Sequence, residues 1–359
     1  MYFDKKRIWF KLDLILRRDT MKSKTKGLFS KALILAVLFI SAFVLSACGH
    51  EHNFQATYTY NSTHHWQECT DENCDEVQNY EEHNFVNEVC TVCYYGATVT
   101  TNVGTTTKYF KNFAQALASI TDNTQTTITL LQNVTEGGVQ INENKNITID
   151  LNNHTYTLVP PMVGSSGTTT IGFQLYKNSN IIIKNGTIKH STVYTQAQDD
   201  QDCKILIQNY CNLTLENVTL DARSSDNVCL YALSNNFGSV LLKGNTNIMA
   251  ANGKVAFDLW YGMASVYYNG VTVTFDQTYT GTVTGKVEYG AQSEQAGWQD
   301  KTQLTIMSGT FNFGEIRNLN STNMNIVISG GNFDIDVSAY CADGFKVEQS
   351  GERYVVVAE

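Results

Sequence analysis

Between His50 and Cys93 the chain crowds His50, His52, His64, His65, Cys69, Cys74, His83, Cys90 and Cys93 into one short stretch. Five of the nine cysteines and five of the seven histidines lie in residues 48–93. Thiolate sulfur and imidazole nitrogen are the donors zinc prefers, and pairs spaced by two to four residues let one loop supply two of its four ligands. The tetrapeptide EHNF occurs at 51–54 and again at 82–85, so the stretch reads as two half-modules, one ending HHWQEC-x4-C and the other HNF-x4-C-x2-C. Cys69, Cys74, Cys90 and Cys93 form one tetrahedral set, with His52, His65 and His83 as substitutes or as ligands of a second ion. Disulfides are the competing account of the cysteines, which oxidising surroundings allow, but they leave the clustered histidines unexplained. A zinc ion here is expected to be structural. So short a segment with few aliphatics needs a staple, and no neighbouring general base marks a catalytic ion.

Elsewhere the reactive residues are scattered. Asp221 and Arg223 stand together at a repeat end, where they could hold a cation beside a base for proton abstraction or be ordinary solvated charges. Asp199, Asp200 and Asp202 make an acidic loop that reads more simply as solvated than as calcium-binding. His154 and His190 sit singly beside strands, as surface or hydrogen-bonded residues. Cys211 and Cys229 read as small core or turn residues, and a Cys203 to Cys211 disulfide stays open. Trp260, Tyr261, Tyr267, Tyr268 and Trp298 fall in the irregular stretch 251–300. Exposed, they would stack on sugar rings; buried, they would be core.

The elements that must carry these residues are repeats. NITIDLNNHTYTL (146–158), NIIIKNGTIKHS (180–191), NLTLENVTLDA (212–222), SVLLKGNTNIMA (239–250), QLTIMSGTFNF (303–313) and NIVISGGNFDI (325–335) share one form, with VTVTFDQTYTG (271–281) a looser copy. Each is a short strand alternating apolar and polar residues, a corner of Asn or Gly, and a second short strand. Asn and Gly tolerate the positive φ a sharp corner needs. Units of this kind cannot bury their apolar face alone and must stack. Stacking predicts one continuous core from Ile147, Ile149, Ile181, Ile183, Leu213, Leu215, Val240, Leu242, Leu304, Ile306, Ile326 and Ile328. Uneven gaps between repeats argue against an antiparallel sandwich joined by tight hairpins. Phe110, Phe113, Leu117 and Ile120 share a helical face just before the first strands, which predicts a capping helix. Phe345–Val347 and Tyr354–Val357 flank Gln349-Ser350-Gly351 as a terminal hairpin.

The entry motif and the rungs of type NITIDLNNHT resemble the right-handed parallel β-helix of the pectin-lyase-like superfamily over residues 105–340. The fold expected is therefore all-β, a parallel β-helix with a capping helix and a small zinc-ribbon-like Cys/His module. That superfamily holds lyases, hydrolases and non-enzymes, so the resemblance specifies architecture and leaves activity open. Its polygalacturonase-like members need an aspartate pair followed by G-H-G and R-I-K, and here only Asp199-Asp200 is present. The Cys/His stretch resembles H-x-F…C-x2-C-G repeats of gut-bacterial surface proteins, with Tyr94 standing where the glycine belongs.

At the other end, basic residues from Met21 precede the apolar run Ala32–Leu45, which ends at Leu45-Ser46-Ala47-Cys48. This is the layout of a cleaved export signal, too short to span a bilayer comfortably. The LSAC string resembles the lipobox of bacterial lipoproteins, which implies a lipid on Cys48 and anchorage to the outer side of the cytoplasmic membrane. The expected divisions are a mis-called extension at 1–20, a signal at 21–47, the Cys/His module at 48–97 and the β-helix at 98–359. Residues 1–47 hold ten Lys or Arg against three Asp, so the chain from Cys48 onward carries net −16 of a whole-chain −9. Such a surface disfavours nucleic acid. The function expected is a non-catalytic cell-surface binding or adhesion module, with glycans as the candidate ligand; a polysaccharide lyase or glycosidase and a structural spacer are the alternatives.

Overall fold

The computed structural model describes residues 51–165, 169–191, 202–223, 229–262, 270–292, 297–320 and 323–359. The signal segment, Cys48, His50, Asp199, Asp200, Tyr267 and Tyr268 lie outside them. No helix among the described residues is long and apolar enough to cross a membrane. By their contacts the residues divide into two units, 1–82 and 83–359.

In the first unit Thr59–Tyr60, His64–Glu68 and Val77–Glu82 form a three-stranded antiparallel sheet. Among its described residues the one buried hydrophobic is Cys69.

The second unit is the right-handed parallel β-helix the repeats predict. One turn runs through Asn146–Asp150, a corner, Thr155–Leu158, and then Ile171–Leu175 on a separate sheet. The corners fall where Asn153, Asn185, Asn217 and Gly244 take positive φ of 64°, 58°, 53° and 55°. The predicted core residues stack in register: Ile147 on Ile181, Ile181 on Leu213, Leu213 on Val240, and Leu304 on Ile326. The looser repeat fills the gap, with Val273 and Phe275 between Val240 and Leu242 on one side and Leu304 and Ile306 on the other. All twelve predicted residues are buried. Each stacked pair removes apolar surface from water on both members, which drives neighbouring rungs together.

Both ends of the larger sheet are closed by antiparallel strands, which deny a second chain the bare edge. The helix Phe113–Ala118 forms as expected, with Asn112 Oδ1 accepting from Gln115 N at 2.8 Å and the Glu136 carboxylate accepting from Phe113 N at 3.0 Å. Sequence analysis did not anticipate the hairpin Val99–Val103 and Thr106–Phe110, whose first strand pairs antiparallel with Thr126–Leu130. At the far end Arg353–Ala358 pairs with Phe345–Ser350 as predicted and also covers Gly331–Phe333. Arg353 binds the last two rungs together, donating to the Asn332 and Asn312 side-chain oxygens at 2.7 and 2.6 Å.

Composition alone placed the boundary at 97/98, whereas the contacts divide the chain at 82/83. The second half-module belongs with the β-helix because its turn packs on the first hairpin: the Tyr94 and Tyr109 rings stack at 3.7 Å, and Thr98 N donates to Phe110 O at 2.9 Å.

Candidate metal centres and the outer face of the seven-stranded sheet

In the first unit His52 lies with Cys69 and Cys74, and in the second His83 lies with Cys90 and Cys93. In the first unit, the antiparallel bridge between Phe54 and Cys69 brings the EHNF segment beside the first cysteine, and an Asp71 turn carries Cys74 back. His52 Nδ1 then lies 3.1 Å from Cys74 Sγ and 3.8 Å from Cys69 Sγ. In the second unit, the short hairpin Phe85–Val86 and Val89–Cys90 presents Cys90, and a tight turn returns Cys93 so that its Sγ is 3.4 Å from His83 Nδ1. His83 is held flat against Tyr95, ring centroids 4.8 Å apart. Within each unit these donors fall inside 4.8 Å of one another, so either group could hold a metal ion. His65, a further expected ligand, is also among the residues that could hold a metal ion; it is buried on His64–Glu68 with its ring edge-on to Tyr58.

The second site is prepared electrically as well. Burial pushes the Cys90 thiol up, but the backbone N–H groups of Cys93 and Val92 and the His83 ring outweigh it and bring it down to about 6. Cys93 is pushed up by burial and by the neighbouring Cys90. A thiolate is the form that binds metal, so the pair is poised to give up one proton first. Tyr94, which replaces the glycine of the resembling repeats, has φ of 59°. A glycine accepts that conformation freely and a tyrosine does not. The Tyr109 stack offsets the strain, which explains how the departure is accommodated.

The other expected residues separate. Asp221 and Arg223 pair with each other at 2.9 Å, so the carboxylate is occupied by its own neighbour. His190 is buried, and burial lowers its pKa. His154 lies at a corner, where its carbonyl accepts from Thr187 N. Cys211 Sγ turns to Asn209 Oδ1 at 3.2 Å, and no bond joins it to Cys203. Tyr261 and Trp298 are core residues at 4% and 1% exposure and so offer no open face; the irregular sequence around them hid that they pack on Phe237 and Tyr289. Trp260 alone of the described aromatics in that set is half-buried at the surface, its indole lying across Gly290, where a Cβ would sit 3.2 Å from the ring.

Trp260 lies on the same side of the sheet as a polar row, most of it buried, that no alternation in the sequence reveals. The seven-stranded sheet carries a polar row in register, Gln174, Gln208, Ser234, Asp258, Glu288 and Arg317. Alongside it Tyr176 and Tyr210 stack at 6.4 Å. The signal was present: FQLY, IQNY, LSNN, FDLW, VEYG and IRNL, starting at 173, 207, 233, 257, 287 and 316, recur at the same spacing as the recognised repeats but without their alternation. The row is internally bonded. Gln174 Nε2 donates to Gln208 at 3.0 Å, Ser234 Oγ and Asn235 N donate to Asp258 at 2.9 and 2.7 Å, and Tyr231 and Arg317 donate to Glu288 at 3.0 and 3.1 Å.

Burial, aided by the charge of Glu288, raises Asp258 to about 7 against the donors from Ser234 and Asn235. A carboxyl raised this way stabilises the fold fully below its unfolded value near 4, and that contribution is lost as pH rises through about 7. Asp258→Asn is therefore expected to flatten the decline in stability between about pH 4 and 7, by on the order of 3 kcal/mol across the window, in denaturant titrations at several pH values. An unchanged slope would show that Asp258 is ionised throughout.

Comparison with protein families, with curated proteins and with solved structures returns no match for this chain.

Proposed function

We propose that this chain is exported, anchored by a lipid on Cys48 to the outer side of the cytoplasmic membrane, and serves there as a non-catalytic binding module for glycans. The observation that carries the binding reading is one face of the seven-stranded sheet, where half-buried Tyr176, Tyr210 and Trp260 and exposed Arg317 border a row whose Gln174, Ser234, Asp258 and Glu288 are buried. Sugars are recognised by this combination, an aromatic face against the ring's C–H groups and fixed polar groups for its hydroxyls. The carboxylates of the face are engaged by their own neighbours, as is Asp221, which favours binding over acid–base chemistry. The half-modules act as zinc-stapled structural elements, supported by the Cys/His groupings that could hold a metal ion.

One observation favours the polysaccharide-cleaving alternative: Asp258 holds its proton near neutrality beside a second carboxylate on the next rung, as a general acid would. A single experiment separates the two. The purified protein is applied to an array of neutral and acidic glycans, and retained glycans are assayed for released reducing or unsaturated ends. Retention without release, weakened about three- to tenfold by Trp260→Ala, is expected from the loss of one stacking contact. Release abolished by Asp258→Asn would replace the binding reading with the enzymatic one, and no retention at all would overturn both.

A further inference from the structure

Six of the eight described cysteines have a local explanation that involves no other cysteine of the β-helix rungs: Cys69, Cys74, Cys90 and Cys93 lie with histidines, Cys211 faces Asn209, and Cys341 bridges to Ile328 beside the last rung. Cys203 and Cys229 are different. Each stands two residues before a strand of the seven-stranded sheet, Ile205–Asn209 and Tyr231–Asn235, and those strands pair in parallel with Ile205 opposite Tyr231. The register continues backward into the turn, where Leu230 N donates to Lys204 O at 2.8 Å. The two thiols therefore occupy the same position on successive rungs. They also make the same local contact, Cys203 Sγ to Ile205 O at 3.4 Å and Cys229 Sγ to Tyr231 O at 3.3 Å. Both are fully buried at 0% exposure. Room for the sulfur is left by Gly172 on the preceding rung, where a Cβ would lie 3.4 Å from Cys203 Sγ.

We propose that Cys203 and Cys229 form a disulfide that ties two successive rungs of the β-helix together. Paired strands stand about 4.8 Å apart, inside the roughly 4.4–6.8 Å window of Cα separations that a disulfide spans. No histidine or carboxylate of the described residues joins them as a metal ligand. In the reaction the two thiols give up two protons and two electrons; a disulfide of an exported thiol–disulfide oxidant accepts them and leaves as the dithiol. The step belongs to folding. Once the rungs close, the Cys229 thiol beside it and burial hold Cys203 well above its ordinary pKa. The folded, reduced chain then offers neither the thiolate that starts exchange nor access to it. After closure the bond is sealed from reductants in the same way. The pairing rests on the rung register alone; that it forms in the living cell rests also on the export reading.

The test separates these two supports. Reduced, denatured full-length chain is refolded with zinc in a mixed glutathione and glutathione-disulfide buffer, then denatured, alkylated without reductant, digested and examined by mass spectrometry. The expected result is a linked peptide pair carrying Cys203 and Cys229, with Cys211 alkylated; Cys211→Ser keeps the link and Cys203→Ser leaves Cys229 alkylated. The same oxidant added after folding in reductant is expected to leave the pair reduced over the same time. Both residues alkylated after oxidative refolding would overturn the pairing. A link that forms on refolding and is missing from protein isolated from its own cells would uphold the pairing and contradict export to an oxidising compartment.

Discussion

With the first unit stapled by zinc as proposed, a strong chelator at neutral pH is expected to unfold residues 51–82 while the β-helix keeps its structure. The described part of the first unit has little else to hold it: Cys69 is the one buried hydrophobic residue among its described residues, and the strand Val77–Glu82 is exposed along its whole length. Apparent binding energies of structural zinc in small peptides are about 10–16 kcal/mol, far more than a bare three-stranded sheet can supply. The β-helix draws its stability from stacked rungs instead. Hydrogen exchange followed by peptide is the measurement. Rapid exchange of 51–82 after chelation, with slow exchange retained in strands such as Leu213–Leu215, is expected, as is loss of the first-unit metal on Cys74→Ser. Protein free of zinc by elemental analysis, with Cys69, Cys74, Cys90 and Cys93 oxidised, would replace the metal with disulfides.

The second large effect lies in the aromatic stack that fills the C-terminal rungs. Phe311 packs edge-on to Phe275 at 5.1 Å and flat on Phe333 at 4.9 Å, with Phe313 at 5.1 Å. Truncating a fully buried phenylalanine removes its transfer energy and leaves a cavity that stiff neighbouring rings cannot fill, so Phe311→Ala is expected to cost about 3–5 kcal/mol. For a domain of this size the melting temperature falls by roughly 2–4 °C per kcal/mol. Met307→Ala, at a site 40% exposed between the same rungs, serves as the control and is expected to change stability by no more than about 0.5 kcal/mol. Because each rung touches only its neighbours, the loss from Phe311→Ala should appear as faster exchange in the terminal rungs before the N-terminal ones. A melting temperature unchanged by Phe311→Ala would mean that the stack is not packed as described.

The β-helix was legible because one of its sheets is half exposed. Strands such as Asn212–Asp221 bury alternate residues, and that alternation is written directly in NLTLENVTLD. The corner asparagines and the capping helix were readable for equally local reasons, the first from positive φ and the second from the spacing of Phe113 and Leu117. The seven-stranded sheet was not recognised, because strands buried on both faces lose alternation. All five residues of Ile171–Leu175 are buried, glycine and glutamine included. Its polar row went unseen with it, since Asp258 or Glu288 taken singly looks like any other acid. The Cys/His residues could be picked out by type and spacing, but their division into two sets could not. Sequence spacing groups cysteines with cysteines, whereas the turns decide that His52 comes to Cys69 and Cys74 and His83 to Cys90 and Cys93. For Tyr261 and Trp298 the irregular segment left exposure and burial equally open, and the side chains turn inward.

The claim on which the account stands is that the outer face of the seven-stranded sheet is where the ligand sits. Hydrogen exchange of the full chain, measured with and without a glycan retained on the array, tests it most directly. The account predicts added protection confined to Val255–Tyr261, Lys286–Ala291 and Ile316–Asn318, lost in Trp260→Ala with the fold intact. Protection on the capping hairpins or the first unit instead, with these strands unchanged, would contradict it.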